Sequence, residues 1–180
     1  MNEQLKIKKS WLDYLFYKIG RQNYDFELCS LKKMPDGSTV SSEWKKYSQC
    51  IFLVDFNGSS DDKEAEKFFA QINQRQILPN EIVLDYDTEQ PLTSLVKKLQ
   101  TMKLLFHIFE TGSRGYHVHI FFNRPFTREE KLKIIRYFQS DEQKSIDRTM
   151  ISLEFIPHWK SGKIKERLVD GVERWVENVA

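Results

Sequence analysis

The sequence predicts an α/β fold of the α+β kind: a mixed sheet, antiparallel in part, with helices packed on one face. Two observations carry this. Apolar runs of strand length alternate with segments whose apolar residues recur at helical spacing. Two of the strands, Leu104 to Glu110 and Tyr116 to Phe122, follow one another across the Gly-rich turn Thr111 to Gly115, as a hairpin does. No internal repeat or low-complexity tract divides the 180 residues, so a single domain, 1–180, is expected, long enough to bury a core. Within it, 1–45 supplies an N-terminal helix and edge elements, 46–168 the core, and 169–180 a C-terminal helix.

Ser10 can cap a helix to Arg21, because Trp11, Leu12, Leu15, Phe16 and Ile19 recur at helical spacing before Gly20. Tyr24 to Ser30 reads as an edge strand, and Met34-Pro35-Asp36-Gly37-Ser38 as a turn. Cys50 to Phe56 is an unbroken apolar run ending at Asn57-Gly58, the pattern of a buried strand. Asp61 to Gln74 reads as a helix with Ala65, Phe68, Phe69 and Ile72 inward, and Glu81 to Asp87 as the next strand. Leu92 to Met102 is a helix, with Leu95, Val96 and Leu99 on one side. After the hairpin, Thr127 can cap a helix to Phe138, with Glu129 and Glu130 suiting its dipole. A charged loop from Ser140 to Ser145, a strand from Met150 to Ile156 and a helix from Val169 to Val179 complete the chain. With helices on one face of the sheet, the other face is expected to be free to work.

The charge is nearly balanced, 28 Lys and Arg against 26 Asp and Glu, so nucleic-acid contact would have to come from local patches. Cys29 and Cys50 stand far apart, outside any CxxC or Cys-His cluster, so neither a disulfide framework nor a zinc site is expected. The N-terminus lacks the apolar stretch of a signal peptide, and no apolar run reaches membrane-spanning length. The expectation is a cytoplasmic protein with no membrane partner.

The chemistry gathers in three places. In Leu84-Asp85-Tyr86-Asp87, strand alternation puts Val83, Asp85 and Asp87 on one face, the two carboxylates roughly 6.5–7 Å apart. Carboxylates held that close repel unless a cation lies between them, and Mg²⁺ or Mn²⁺ prefers such oxygen ligands. A strand running into a polar turn accounts for the same residues. In Tyr116 to Phe122, His117, His119 and Phe121 share a face. In Glu110-Thr111-Gly112-Ser113-Arg114-Gly115-Tyr116-His117, glycines let backbone N–H groups turn toward an anion and Arg114 can fork onto phosphate oxygens, though the Gly-Lys-Ser/Thr of a Walker loop is missing.

Two family resemblances follow. His117-Val118-His119, with Tyr137 on a helix downstream, resembles the histidine-hydrophobic-histidine nucleases that cut single-stranded DNA with a tyrosine nucleophile. The longer resemblance is to the archaeo-eukaryotic primase superfamily, the small catalytic primase subunits and primase-polymerases. It rests on hydrophobic-Asp-x-Asp at Leu84 to Asp87, Thr-Gly-Ser-Arg-Gly-Tyr-His at Thr111 to His117, Ile146-Asp147, and Pro-His-x-Lys-Ser-Gly at Pro157 to Gly162, in the family's order. It covers Glu81 to Gly162.

The primase resemblance implies an RRM-like sheet as the catalytic core and metal-dependent, template-directed nucleotidyl transfer that makes or extends short primers. By it, Asp85, Asp87 and Asp147 hold two Mg²⁺ or Mn²⁺ ions, with no zinc, and Glu154 is the alternative third acid. Thr111, Ser113, Arg114, His117, His158 and Lys160 bind the nucleotide, and His119 orients a metal-site carboxylate or lines the groove. Two metal ions activate an attacking hydroxyl and steady the leaving pyrophosphate, which is why the chemistry calls for several carboxylates beside a basic seat. The implied partners are nucleoside triphosphates, single-stranded DNA template and primer, and a large primase subunit or a helicase, in a nucleoid-associated setting. Lys163, Lys165 and Arg167 follow the last motif and are expected on the nucleic-acid backbone, with Trp44 and Trp159 as stacking candidates. A catalytically silent nucleic-acid-binding relative is the third reading.

Overall fold

The computed structural model describes residues 3–51, 54–55, 58–87, 92–111, 115–146 and 148–168. In chain order its elements are α1 (Glu3–Asp13), continuing as a π-helical turn (Tyr14–Ile19), then β1 (Glu27–Cys29), β2 (Leu31–Lys33), β3 (Thr39–Ser41) and β4 (Lys45–Lys46). Next come α2 (Tyr47–Cys50), α3 (Lys63–Gln71), β5 (Gln74–Gln76), β6 (Glu81–Tyr86), α4 (Leu92–Thr101), β7 (Leu105–Glu110) and β8 (Tyr116–Phe121). The last are α5 (Arg128–Tyr137), a 3-10 turn (Glu142–Ser145) and β9 (Met150–Ser152). This is an α+β protein. Among the described residues every strand pairing is antiparallel, in three sheets ordered β4-β1-β5-β9, β2-β3 and β6-β8-β7, in place of the single mixed sheet expected.

The chain groups into two compact units, Met1–Leu78 with Met150–Lys165, and Pro79–Thr149 with Glu166–Ala180. In the first, the apolar stripe on the N-terminal helix is inward as expected, with Trp11, Leu12, Leu15 and Phe16 buried. The helix begins earlier than its Ser10 signal because Lys8 is buried and its ammonium donates to the carbonyls of Phe69, Ala70 and Ile72, at the end of α3. That anchor serves the carbonyls that a helix C-terminus leaves unsatisfied. Asp62 caps the other end of α3, accepting from the N–H groups of Glu64 and Ala65.

Other expectations in this unit need correction. β1 is an interior strand, paired with β4 on one side and β5 on the other, rather than an edge. Gln74 opens β5 instead of closing a helix, since its neighbour Asn73 ties the chain to Leu31 by paired side-chain hydrogen bonds. Cys50 ends the helical turn α2, and Ile51, Val54 and Asp55 lie outside any strand, while Phe52, Leu53 and Phe56 of that expected strand are outside the described residues. The turn at Met34 to Ser38 does form, joining β2 to β3, with Asp36 accepting from the Ser38 N–H. The helix expected from Val169 lies outside the described residues.

Glu154, the alternative third acid, occupies the interior of this unit. Its carboxylate accepts from Arg75 Nε at 2.9 Å and Nη2 at 3.0 Å, from Lys165 Nζ at 3.2 Å and from Trp11 Nε1 at 2.8 Å. Arg75, Glu154 and Lys165 are each 0 % exposed. A carboxylate so enclosed is a structural counter-ion.

In the second unit, strand alternation sorts the sheet cleanly. Ile82, Leu84, Tyr86, Phe106, Ile108, Val118 and Ile120 point to one face and pack with Leu99 of α4 and Ile135 of α5. Thr127 caps α5 through a reciprocal box with Glu130. The opposite face is not open as expected: Glu81, Val83, His107, Phe109 and His119 are all buried, and Val83, Phe109 and Phe121 make that face apolar enough to pack.

Glu154→Ala is expected to cost about 3–5 kcal/mol in urea unfolding, because it leaves two buried cations without their carboxylate. Lys165 can escape by losing its proton, but the Arg75 guanidinium cannot.

Candidate functional site

The antiparallel register of β6 on β8 sets Val83 opposite His119 and Asp85 opposite His117, so the first acid and both motif histidines share one face. Asp85 Oδ1 lies 3.2 Å from His117 Nε2, and Asp85 Oδ2 lies 3.0 Å from Lys144 Nζ. Burial pushes the Asp85 carboxyl up, but the hydrogen bond and charge of His117, and then Lys144, outweigh it. The net result holds the group well below the usual carboxylate range. Asp87, two residues on, is exposed at the end of the strand.

Backbone and loop contacts hold this group in place. Ser140 Oγ accepts from the Asp85 N–H at 2.6 Å and donates back to the Asp85 carbonyl at 3.0 Å, which pins the segment after α5 against β6. The 3-10 turn that follows is capped by Asp141 and tied to α5 by the paired Arg136–Glu142 contacts at 2.8 and 3.1 Å. That turn delivers Lys144. Deeper on the same face, Glu81 Oε1 lies 2.6 Å from His119 Nδ1, both side chains 0 % exposed. His107 of β7 stands opposite His119.

Sequence reasoning missed Glu81, His107 and Lys144. Glu81 carried a signal, since it is four residues before Asp85 on a period-two element. His107 needed the register of β7, and Lys144 had no signal at all in a charged loop.

The Gly-rich loop begins and ends against this site. Thr111 is buried, and its N–H donates to the Gly115 carbonyl at 3.3 Å. Gly115 has φ +73°, and a Cβ there would fall 1.6 Å from the Tyr86 carbonyl oxygen and 3.0 Å from Asp87 Cα. The backbone at Gly115 is therefore pressed against the Asp-x-Asp strand. Ser113 and Arg114, and Asp147, expected as a third acid, lie outside the described residues. Among the described residues no three His, Cys, Asp or Glu side chains surround a common metal position. Asp85 nonetheless suits a cation, because an ammonium already sits on its carboxylate.

Of the basic residues, Arg167 joins this unit. Its segment pairs along β7, with Phe109 opposite Arg167, so the row Asp85, His117, Phe109, Arg167 crosses one face. At the usual strand spacing Arg167 starts roughly 14 Å from Asp85. The others belong to the first unit. His158 is half-buried in the short loop that closes where Pro157 bridges Ile164, with burial first and then Lys160 and Lys165 lowering its pKa. Lys160 is exposed, 4.9 Å from the centre of the Trp159 ring, and Lys163 is exposed. Lys165 departs from expectation: its ammonium donates to Ser152 O and Glu154 inside the unit, so it presents no charge to a phosphate backbone.

Tyr137 does not face the histidines. It lies on α5, in the helix layer on the other side of the sheet, 59 % exposed with Lys98 Nζ 3.9 Å from its ring centre.

Two measurements check this geometry. Gly115→Ala should cost at least about 3 kcal/mol in urea unfolding, because backbone must move. Gly37→Ala, at φ +84° with nothing within 4 Å, should cost about 1–2 kcal/mol. Asp85 has a folded pKa below its unfolded value near 3.8, so its stabilisation is full above that pH and fades as pH falls below it. Between pH 6 and pH 2.5 the wild type should lose on the order of 2 kcal/mol more than Asp85→Asn.

Comparison with known proteins finds no matching family model, no matching curated protein and no matching solved structure.

Proposed function

We propose that this protein is a metal-dependent nucleotidyltransferase that synthesises or extends short primers on single-stranded DNA from nucleoside triphosphates, as primase-polymerases do. The observation that carries the reading is the cross-strand juxtaposition of Asp85 with His117. Two motifs separated in sequence by about thirty residues supply adjacent groups, an acid for a cation and an imidazole for a phosphate oxygen.

Asp85 and the exposed Asp87 are the residues that would hold Mg²⁺ or Mn²⁺ in this reading, with Asp147 as the third acid. Such ions, when bound, would lower the pKa of an attacking 3′-hydroxyl and offset charge on a departing pyrophosphate. The chain's own contribution is positioning. Ser140 fixes the backbone of Asp85, and His117 Nε2 holds Asp85 Oδ1 in one orientation. Gly115 lies against Tyr86 and Asp87. Arg114, Ser113 and His117 are the proposed triphosphate contacts, and Arg167, on the same face as His117, is a proposed template contact. A tyrosine-nuclease reading lacks comparable support, because Tyr137 and the histidines lie on opposite sides of the sheet.

The test is incorporation of labelled nucleotide on a primed and an unprimed single-stranded template with Mg²⁺ or Mn²⁺. Asp85→Ala should lower the rate by about a thousandfold or more, while Tyr137→Phe should leave it unchanged and no covalent DNA adduct should form. Template binding without incorporation in the wild type would instead identify a silent nucleic-acid-binding protein.

A further inference from the structure

We propose that Lys144 is an internal counter-cation that competes with the divalent metal for Asp85, so that metal binding requires its ammonium to leave. The inference rests on the nucleotidyl-transfer reading of the same site. Asp85 has two carboxylate oxygens and both are engaged, Oδ1 by His117 at 3.2 Å and Oδ2 by Lys144 at 3.0 Å. A magnesium ion takes its oxygens at about 2.0–2.1 Å. A metal on Oδ2 would then stand within a few ångströms of the ammonium, and two positive charges at that range repel strongly in a partly buried site.

Lys144 is a presented side chain. Its side chain is 18 % exposed and that of Asp85 16 %, so the pair is only lightly screened by water. The turn that carries it is held on its N-terminal side, by Ser140 on the Asp85 backbone and by Glu142 on Arg136. The four-carbon stem of a lysine can still swing its head toward solvent without moving that turn. In the absence of metal, the ammonium supplies the positive partner of Oδ2 while His117 faces Oδ1.

The experiment is Mn²⁺ binding to the full-length protein, followed by loss of the free-ion electron paramagnetic resonance signal, without nucleotide or DNA. Wild type is compared with Lys144→Met, Lys144→Gln, Lys144→Arg and Asp85→Asn, each checked for folding by circular dichroism. Competition predicts that Lys144→Met and Lys144→Gln bind Mn²⁺ about tenfold or more tightly than wild type, that Lys144→Arg stays close to wild type, and that Asp85→Asn binds more weakly. Affinity that is unchanged or reduced in both neutral variants, with Asp85→Asn still weakened, overturns the competition while leaving the metal reading of Asp85 standing. Failure of every protein, Lys144→Met included, to take up Mn²⁺ overturns the nucleotidyl-transfer reading and the competition with it. Two neutral variants are used so that misfolding of one leaves the other to decide.

Discussion

An unbroken run of antiparallel pairs, Glu81 with Phe121 through Tyr86 with Tyr116, holds β6 against β8, and the chemistry of the second unit depends on that register. Side chains alternate along a strand, so a slip of one residue would turn Asp85 toward the helices and Leu84 toward the histidines. What prevents the slip is the apolar set on the other face. Ile82, Leu84, Val118 and Ile120 are buried against Leu99 and Ile135, and burying each such side chain is worth about 1.5–3 kcal/mol. The hydrophobic face thereby fixes the place of the polar one.

The polar face is graded along β6. At one end Glu81 and His119 form a sealed pair, and at the other Asp87 meets solvent, with Asp85 and His117 between them. A buried acid and imidazole satisfy each other and make a rigid base, whereas a half-buried acid keeps its charge and can exchange partners. Asp85 sits where its partners, His117 and Lys144, are close enough to hold it charged but not so enclosed that they are permanent. That intermediate position separates it from the enclosed Glu81 and the exposed Asp87.

The first unit uses charge in the opposite way. Glu154 draws Arg75, Lys165 and Trp11 into a fully buried cluster, and Lys8 closes the end of α3. Each group has its hydrogen bonds satisfied inside the fold, so these residues specify packing. Lys165 and Glu154 look like surface and catalytic residues when read only by type. Their neighbours in space turn them into structural ones.

The sequence by itself determined the α+β class, β6, β7, β8, the helices that cover them, the common face of Asp85 and Asp87 on one strand and that of His117 and His119 on another, because period two and period 3.6 are local properties of the chain. The turn at Met34 to Ser38 and the cap at Thr127 were equally legible from residue type. Only the tertiary structure decided that the strands form three antiparallel sheets, that β1 is interior, and that Cys50 ends a helical turn. It alone brought Lys144 to Asp85, set His107 opposite His119 and enclosed Glu154 with Lys165. Those facts depend on which distant segments pair and on what lies across from each side chain, and no short-range pattern encodes either.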